Sequence, residues 1–231
     1  MPRGKLFVLE GIDGTGKGTQ AELLLVRLRQ EGFWAEKISF PQYGTPRAQF
    51  VEAYLNDKYG PAASLHPELA SLFFAHDRQG ALPAMLEKLN NGVCLVADRY
   101  VLSNAGHQGG KIADLADRKS FLDWLHQLEH ETLGAIRPDL NIILTLDPGI
   151  AQARVRKKAA RAYLGGKEGA ADGHESDANH LANAQNAYLW VAAQNPDAHA
   201  VIAGTEPDGR ELNEAEVHDK VWNAVKDVLS R

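Results

Sequence analysis

The sequence is short of cysteine and of long apolar runs. Its 231 residues include one cysteine, Cys94, so no disulfide can form within the chain. Cys94 lies in the apolar run 93–96, where we expect a small buried side chain in a reducing compartment. The first apolar run, 6–9, is too short for a signal peptide, and no run approaches the ~20 residues of a membrane span. These absences predict a cytoplasmic protein with no membrane partner.

The sequence also lacks an excess of positive charge. It has 25 Lys and Arg against 30 Asp and Glu, a formal net charge of −5 with His neutral. A strongly basic nucleic-acid binder would show the opposite sign, so no nucleic-acid partner is expected and any anion site must be local. With 44% hydrophobic and 24% charged residues, the composition is that of a globular protein, and we expect residues 1–231 to form a single domain.

Five short apolar runs predict the strands of the fold. Between them, apolar residues recur at the i, i+3, i+4 and i+7 spacing of amphipathic helices. Strands that alternate with helices predict an α/β fold, in which a five-stranded parallel sheet is covered by helices on both faces. In such sheets ligands bind at the carboxyl ends of the strands. The five runs are 6–9, 35–40, 93–97, 142–146 and 200–203.

A glycine-rich loop between the first strand and a helical segment predicts a nucleoside triphosphate site. Its glycines let backbone N–H groups face an anion, the helix start adds partial positive charge, and Lys17 reaches the outer phosphates. The pattern departs from G-x-x-x-x-G-K-[ST] at Gly18, so Thr19 or a water molecule would fill the Mg²⁺ position. GTPases, ATPases and small-molecule kinases share this loop. Its residues are Gly11, Ile12, Asp13, Gly14, Thr15, Gly16, Lys17, Gly18 and Thr19.

Two further motifs carry chemistry that suits a phosphate site. Asp98 and Arg99 directly follow the third predicted strand, where a carboxylate can hold Mg²⁺ and a guanidinium can grip a phosphate. Phe74 and Arg78 share one face of a predicted helix, so an aromatic plane lies beside a guanidinium. Such a pair can stack on a nucleobase and donate to its carbonyl edge.

These motifs, in this order and spacing, resemble those of the thymidylate kinases. The resemblance covers nearly the whole chain. The end of the glycine-rich loop, Lys17-Gly18-Thr19-Gln20, instead resembles that of adenylate kinases. The resemblance implies a homodimeric kinase that uses ATP and Mg²⁺ to convert dTMP to dTDP. A kinase for dUMP, a modified deoxynucleotide or AMP remains an alternative, as does a poorly active nucleotide-binding regulatory protein. The segments are Glu10 to Lys17, Phe40-Pro41, Phe74 to Arg78 and Asp98 to Asn104.

The resemblance also implies roles for single residues. Phe74, Arg78 and Asn104 would read the thymine, since the Asn104 amide offers both a donor and an acceptor. The other residues expected at the acceptor are Asp13, Phe40, Arg99, His107 and Gln108. Two of the positions depart from the family: His107 replaces an aromatic residue that crowds the sugar 2′ position, and Tyr43 stands where many members carry an Arg for the acceptor phosphate.

The basic segment before a glycine-rich stretch resembles the family's lid, at about residues 154–175. Cations that arrive from a lid neutralise charge in the transition state and exclude water. Arg154 and Arg161 share one helical face and are the expected lid cations. Together with Lys17, Asp98 and Arg99 they form the predicted catalytic set, in which Asp98 and Thr19 are the candidate metal ligands.

Overall fold

The computed structural model describes residues 2–164 and 178–230, except for the side chains of 158–164 and 178. Over these residues strands alternate with helices, as the apolar runs predict. Each strand overlaps one of the five runs, so the strand prediction is confirmed. The strands are β1 (Leu6–Gly11), β2 (Ala35–Ser39), β3 (Cys94–Asp98), β4 (Leu140–Thr145) and β5 (His199–Ala203).

The helices connect successive strands and cover the sheet. A π-helical segment, Gln127–Thr132, directly continues α5, and short 3-10 turns lie between other elements. The α-helices in the described part are α1 (Lys17–Gln30), α2 (Gln49–Leu55), α3 (Pro67–Asn90), α4 (Val101–His107), α5 (Leu115–His126), α6 (Pro148–Leu164), α7 (Ala178–Gln194) and α8 (Glu214–Leu229).

The sheet has the order β2-β3-β1-β4-β5, and all neighbouring strands are parallel. β1 is therefore central, with Leu9 paired to Asp98 of β3 and Gly11 paired to Leu144 of β4. Because the strands are parallel, their carboxyl ends meet at one edge. This confirms the predicted α/β class and brings the glycine-rich loop beside Asp98.

Successive side chains of β1 point to opposite faces of the sheet. Phe7 and Leu9 enter a core formed with α1 and α8, while Leu6 and Val8 enter a second core formed with α3. Glu10 has the same parity as Leu6 and Val8, so its side chain points to the face covered by α3, α4 and α7. A carboxylate is thereby directed into a helical layer.

Two predictions from the sequence, a buried cysteine and the lack of a membrane span, can be compared with the described residues. Cys94 is 3% exposed, in agreement with the expectation of a buried thiol. Across residues 2–164 and 178–230, none of the helices has both the length and the apolarity needed to cross a membrane.

Candidate active site

The glycine-rich loop connects β1 to the first turn of α1. Gly14 and Gly16 have φ of 89° and 93°, a left-handed region that glycine adopts without strain. A Cβ at Gly14 would also lie 2.2 Å from the carbonyl oxygen of Ala151, so a side chain has no room there. The loop can therefore curl in front of the amino end of α1, which is the arrangement that binds phosphate.

Lys17, the first residue of α1, lies inside this loop. Its Nζ donates to the carbonyl oxygen of Ile12 at 2.9 Å and contacts Oδ1 of Asp13 at 3.4 Å. Burial and the nearby Arg99 guanidinium lower the pKa of Lys17, and the Asp13 carboxylate opposes this shift. The ammonium group thus lies next to the position that the loop offers to an anion.

Arg99 joins the loop to the next strand. It follows β3 with φ of 67°, which is uncommon for a residue other than glycine, and its N–H donates to the carbonyl oxygen of Leu9 at 3.0 Å. Its guanidinium forms an ion pair with Asp13 and lies 3.0 Å from Nε2 of His107. Burial alone would raise the pKa of Asp13, but Arg99 and Lys17 outweigh it and hold that pKa far below its ordinary value.

A cavity of about 270 Å³ opens beside Arg99. Tyr43 and Asp98 contribute to its wall, which also includes Tyr54 and Tyr100. The structure therefore brings together all of the residues predicted to bind the acceptor substrate. These are Asp13, Phe40, Phe74, Arg78, Arg99, Asn104, His107 and Gln108.

Arg78, on α3, has an ion-pair partner that the sequence did not identify. It is 2% exposed and pairs with Glu129, whose carboxylate accepts from Nε at 3.2 Å and also from Nη2. Nη1 donates to the carbonyl oxygen of Tyr100 at 3.3 Å. Burial lowers the pKa of Arg78, but the Glu129 carboxylate outweighs this effect and the net shift is upward.

The polar side chains of Asn104, on α4, and Gln108, which directly follows α4, are held at the cavity by neighbouring helices. Asn104 donates from Nδ2 to the carbonyl oxygen of Ser71 at 3.2 Å, and Gln108 donates from Nε2 to the hydroxyl of Tyr54 at 3.5 Å. Oε1 of Gln108 is buried and has no hydrogen-bond partner among the described residues. Phe74 packs edge-on against Tyr54, with ring centroids 5.9 Å apart. The cavity therefore has one aromatic wall, formed by Phe74, beside the amides of Asn104 and Gln108.

Glu10 begins one of the motifs, but the sequence analysis assigned it no role. Its Oε1 accepts from the backbone N–H groups of Tyr100 and Ser103 at 2.8 and 3.1 Å. Its Oε2 accepts from the hydroxyls of Ser103 and Tyr188 at 2.6 and 3.1 Å. Burial raises the pKa of Glu10, while these donors oppose the shift. One carboxylate thereby joins β1, α4 and α7. The sequence signal was a Glu at an inward position of a buried strand.

His107 lies between Arg99 and α7. Its ring stacks on His180 at a centroid distance of 5.7 Å and meets the edge of Tyr188 at 6.0 Å. Because Arg99 is only a donor, Nε2 of His107 accepts, and the proton of the neutral ring is on Nδ1, 3.5 Å from Nε2 of His180. Burial and the Arg99 charge hold the pKa of His107 well below its ordinary value.

A second groove lies on the other side of the glycine-rich loop. Thr19 and Arg154 line it, and Nη2 of Arg154 forms an ion pair with Oε2 of Glu211 at 2.6 Å. Asp98 lines the first cavity instead, so the two predicted metal ligands do not share one cavity. Facing Asp98 is Gly18, where a Cβ would lie 3.2 Å from Oδ2 of Asp98.

The predicted lid lies only partly within the described residues. Arg154 belongs to the described part of α6 and reaches the second groove. The side chain of Arg161 and residues 165–175 lie outside the described residues, so the prediction made for them stays a prediction.

Comparisons with known proteins agree on one family. The family model described as thymidylate kinase matches residues 9–202. The thymidylate kinase of Mycobacterium tuberculosis is 30% identical over 204 residues, covering 88% of this chain and 92% of the relative. The human thymidylate kinase is 34% identical over 152 residues, 66% of each chain. A solved thymidylate kinase from Candida albicans has a TM-score of 0.67 at 21% identity, over 97% of this chain and 92% of that one.

The buried His107 predicts a pH dependence of stability. Its folded-state pKa lies below 6.5, so as pH falls below about 6.5 the unfolded chain takes up a proton that the folded chain does not. The contribution of neutral His107 to the free energy of unfolding should therefore be fully present above about pH 6.5. It should be lost as the pH falls below this value. His107→Gln should reduce the slope between pH 7 and 5 by up to about 1.4 kcal/mol per pH unit, measured by urea unfolding.

The control for this measurement is His66→Gln. His66 is exposed, and this variant should keep the wild-type slope. Equal slopes for the His107 variant and the wild type would show that His107 is not held neutral in the folded protein.

Proposed function

The chain belongs to the thymidylate kinase family, and we propose that its two neighbouring sites bind the two substrates of the reaction that converts dTMP to dTDP. The position of Arg99 is the observation that supports this assignment. Arg99 pairs with Asp13 of the glycine-rich loop and also lines the cavity that contains Phe74, Arg78 and Asn104. A phosphate held by Arg99 would therefore lie between the loop and a base-sized cavity.

The donor, ATP, is proposed to bind at the loop. Backbone N–H groups around Gly14 and Gly16, together with Lys17, would hold its phosphates. The second groove adjoins these glycines, and Arg154 on its wall is close enough to pair with Glu211. When a triphosphate is bound, Arg154 can exchange this exposed carboxylate for phosphate oxygens, at little cost because exposed ion pairs are weak.

The acceptor, dTMP, is proposed to fill the cavity. Its phosphate would accept hydrogen bonds from the Arg99 guanidinium. Its base would lie against Phe74, with the carbonyl edge of the base toward Arg78. Asn104, which is 2% exposed, supplies an amide that can pair with the imide edge of thymine. Gln108 also lies on the cavity wall, where its amide can contact the nucleotide. His107 and Asp13 lie on the wall proposed to meet the sugar.

Mg²⁺ fits the residues around Asp98. The Asp98 carboxylate faces Gly18, which has no side chain to fill the space between them. Mg²⁺ commonly keeps several waters and binds few protein groups, so Asp98 would hold the ion directly or through water. Thr19 lines the other groove, which favours water over its hydroxyl at this position. Bound in this way, the ion would neutralise phosphate charge.

The proposed chemistry is direct in-line transfer of the γ-phosphoryl group. The acceptor is already an anion, so the residues need to position it and neutralise charge rather than act as a strong base. Lys17 and Arg99 both pair with Oδ1 of Asp13, so the two cations lie close together and would both act on the transferred group. Arg154 and Arg161 would add lid cations as the site closes.

A homodimer is also proposed. α3 carries three large exposed apolar side chains, Leu69, Leu72 and Leu86, of which Leu69 and Leu72 lie one turn apart. Exposed apolar side chains on one helix are a feature of protein interfaces, and a second copy of the chain is the partner that the family resemblance implies.

Selectivity for the acceptor base tests the function. We expect specificity constants in the order dTMP, dUMP, then dCMP and AMP. Loss of the methyl group in dUMP should cost roughly 10–200-fold, and cytosine should be rejected more strongly because its amino group faces donors. ADP release over this panel measures the order, and dCMP or AMP reacting faster than dTMP would contradict the assignment.

Arg99→Ala separates the acceptor site from the donor site. Because Arg99 is assigned to the acceptor phosphate, dTMP affinity and turnover should fall, turnover by about 10²–10³, while ATP affinity changes little. Titration of each ligand alone, with Arg99→Lys as the charge-conserving control, provides the measurement. An equal loss of affinity for both ligands would assign Arg99 to a shared or structural role.

The homodimer is tested by a charge in place of one of the exposed leucines of α3. Wild-type protein should sediment as a dimer at micromolar concentration, and Leu72→Glu should shift it to monomer because a carboxylate would be buried without a partner. Leu115→Glu is the control, since Leu115 is also exposed but lies on α5. A monomeric wild type, or a dimeric Leu72 variant, would refute this interface.

A further inference from the structure

The π-helical segment after α5 is a local departure from regular helix. Within Gln127–Thr132 the turn widens, and the N–H of Leu133 donates to the carbonyl oxygen of Leu128, five residues earlier, at 2.9 Å. Such segments are rare, and they occur frequently at functional sites. Here the segment carries Glu129 into the protein interior, although its neighbours Glu131 and Arg137 remain exposed.

Glu129 fixes the orientation of Arg78. Both side chains are almost completely buried, at 1% and 2% exposure. A guanidinium is planar and has five N–H donors. The Glu129 carboxylate accepts one hydrogen bond from Nε and one from Nη2, and the carbonyl oxygen of Tyr100 accepts one from Nη1. The two donors that remain, one on each terminal nitrogen, therefore have fixed directions.

The ion pair also determines what kind of group these two donors suit. Arg78 lines the acceptor cavity, so a substrate atom can approach it. Because Glu129 neutralises the guanidinium, this part of the cavity offers N–H donors without an uncompensated buried charge. A neutral carbonyl oxygen matches that environment better than a phosphate does. The phosphate is instead assigned to Arg99, which lies nearer the glycine-rich loop.

We propose that Glu129 is a positioning residue for acceptor selectivity: it holds Arg78 so that the remaining N–H groups meet a ring carbonyl and reject a ring amino group. This inference rests on the proposed function of the cavity. A ring amino group would face N–H donors and leave the donors of both partners unpaired, so the site would reject it strongly.

Glu129→Gln tests the proposal because it keeps the shape but removes the charge and one acceptor. The specificity constant for dTMP should fall about 10–100-fold through KM, while KM for ATP is unchanged. The dTMP-to-dCMP ratio should narrow by a similar factor. Glu131→Gln is the matched control, since Glu131 lies on the same segment but is exposed and pairs with Arg137; it should match the wild type.

Glu129→Asp keeps the proposal testable if the Gln variant does not fold. It preserves the buried charge, but its side chain is too short to hold both nitrogens of Arg78, so it should also narrow the dTMP-to-dCMP ratio. A purely structural role would lower thermal stability and leave this ratio and KM unchanged, which would overturn the proposal. A wild-type enzyme that does not phosphorylate dTMP in the same assay would overturn the proposed function as well.

Discussion

The buried carboxylate of Glu10 is the interaction on which the arrangement of the site depends. It is fully buried and accepts four hydrogen bonds from Tyr100, Ser103 and Tyr188. A buried carboxylate without such donors would be strongly unfavourable, so the start of α4 and the middle of α7 must remain next to β1. Since β1 leads into the glycine-rich loop, the helix that carries Asn104 and the loop are held as one unit.

The Asp13–Arg99 ion pair lies at the centre of that unit. Arg99 adopts a left-handed backbone conformation that costs a non-glycine residue about 1 kcal/mol or more. Its contacts with Asp13, His107 and Leu9 hold it there, between a loop suited to triphosphate and a cavity suited to a nucleotide. Phosphoryl transfer depends mainly on positioning and charge neutralisation, so this fixed geometry is what the fold would contribute to the proposed reaction.

Local patterns in the sequence predicted much of this arrangement. The strands and the loop follow from apolar periodicity and glycine spacing, whereas most of the cavity residues were implied by the resemblance to the thymidylate kinases. The pairing of Arg78 with Glu129 could not be predicted, because the partners are far apart in sequence and the π-helical turn that directs Glu129 inward has no simple signature. Either Thr19 or water was expected at the Mg²⁺ position. The structure places Thr19 on the wall of the second groove and Asp98 on that of the first, a placement that depends on tertiary packing.

Substitution of Glu10 by Gln tests most directly whether the buried carboxylate holds the site together. It retains the shape but replaces one acceptor oxygen by a donor in a site where every neighbour donates. We predict a loss of about 2–4 kcal/mol in the free energy of unfolding. We also predict that turnover falls in the protein that remains folded. Glu22→Gln, at an exposed position on α1, should change neither quantity. A Glu10 variant with the stability and turnover of the wild type would contradict the account.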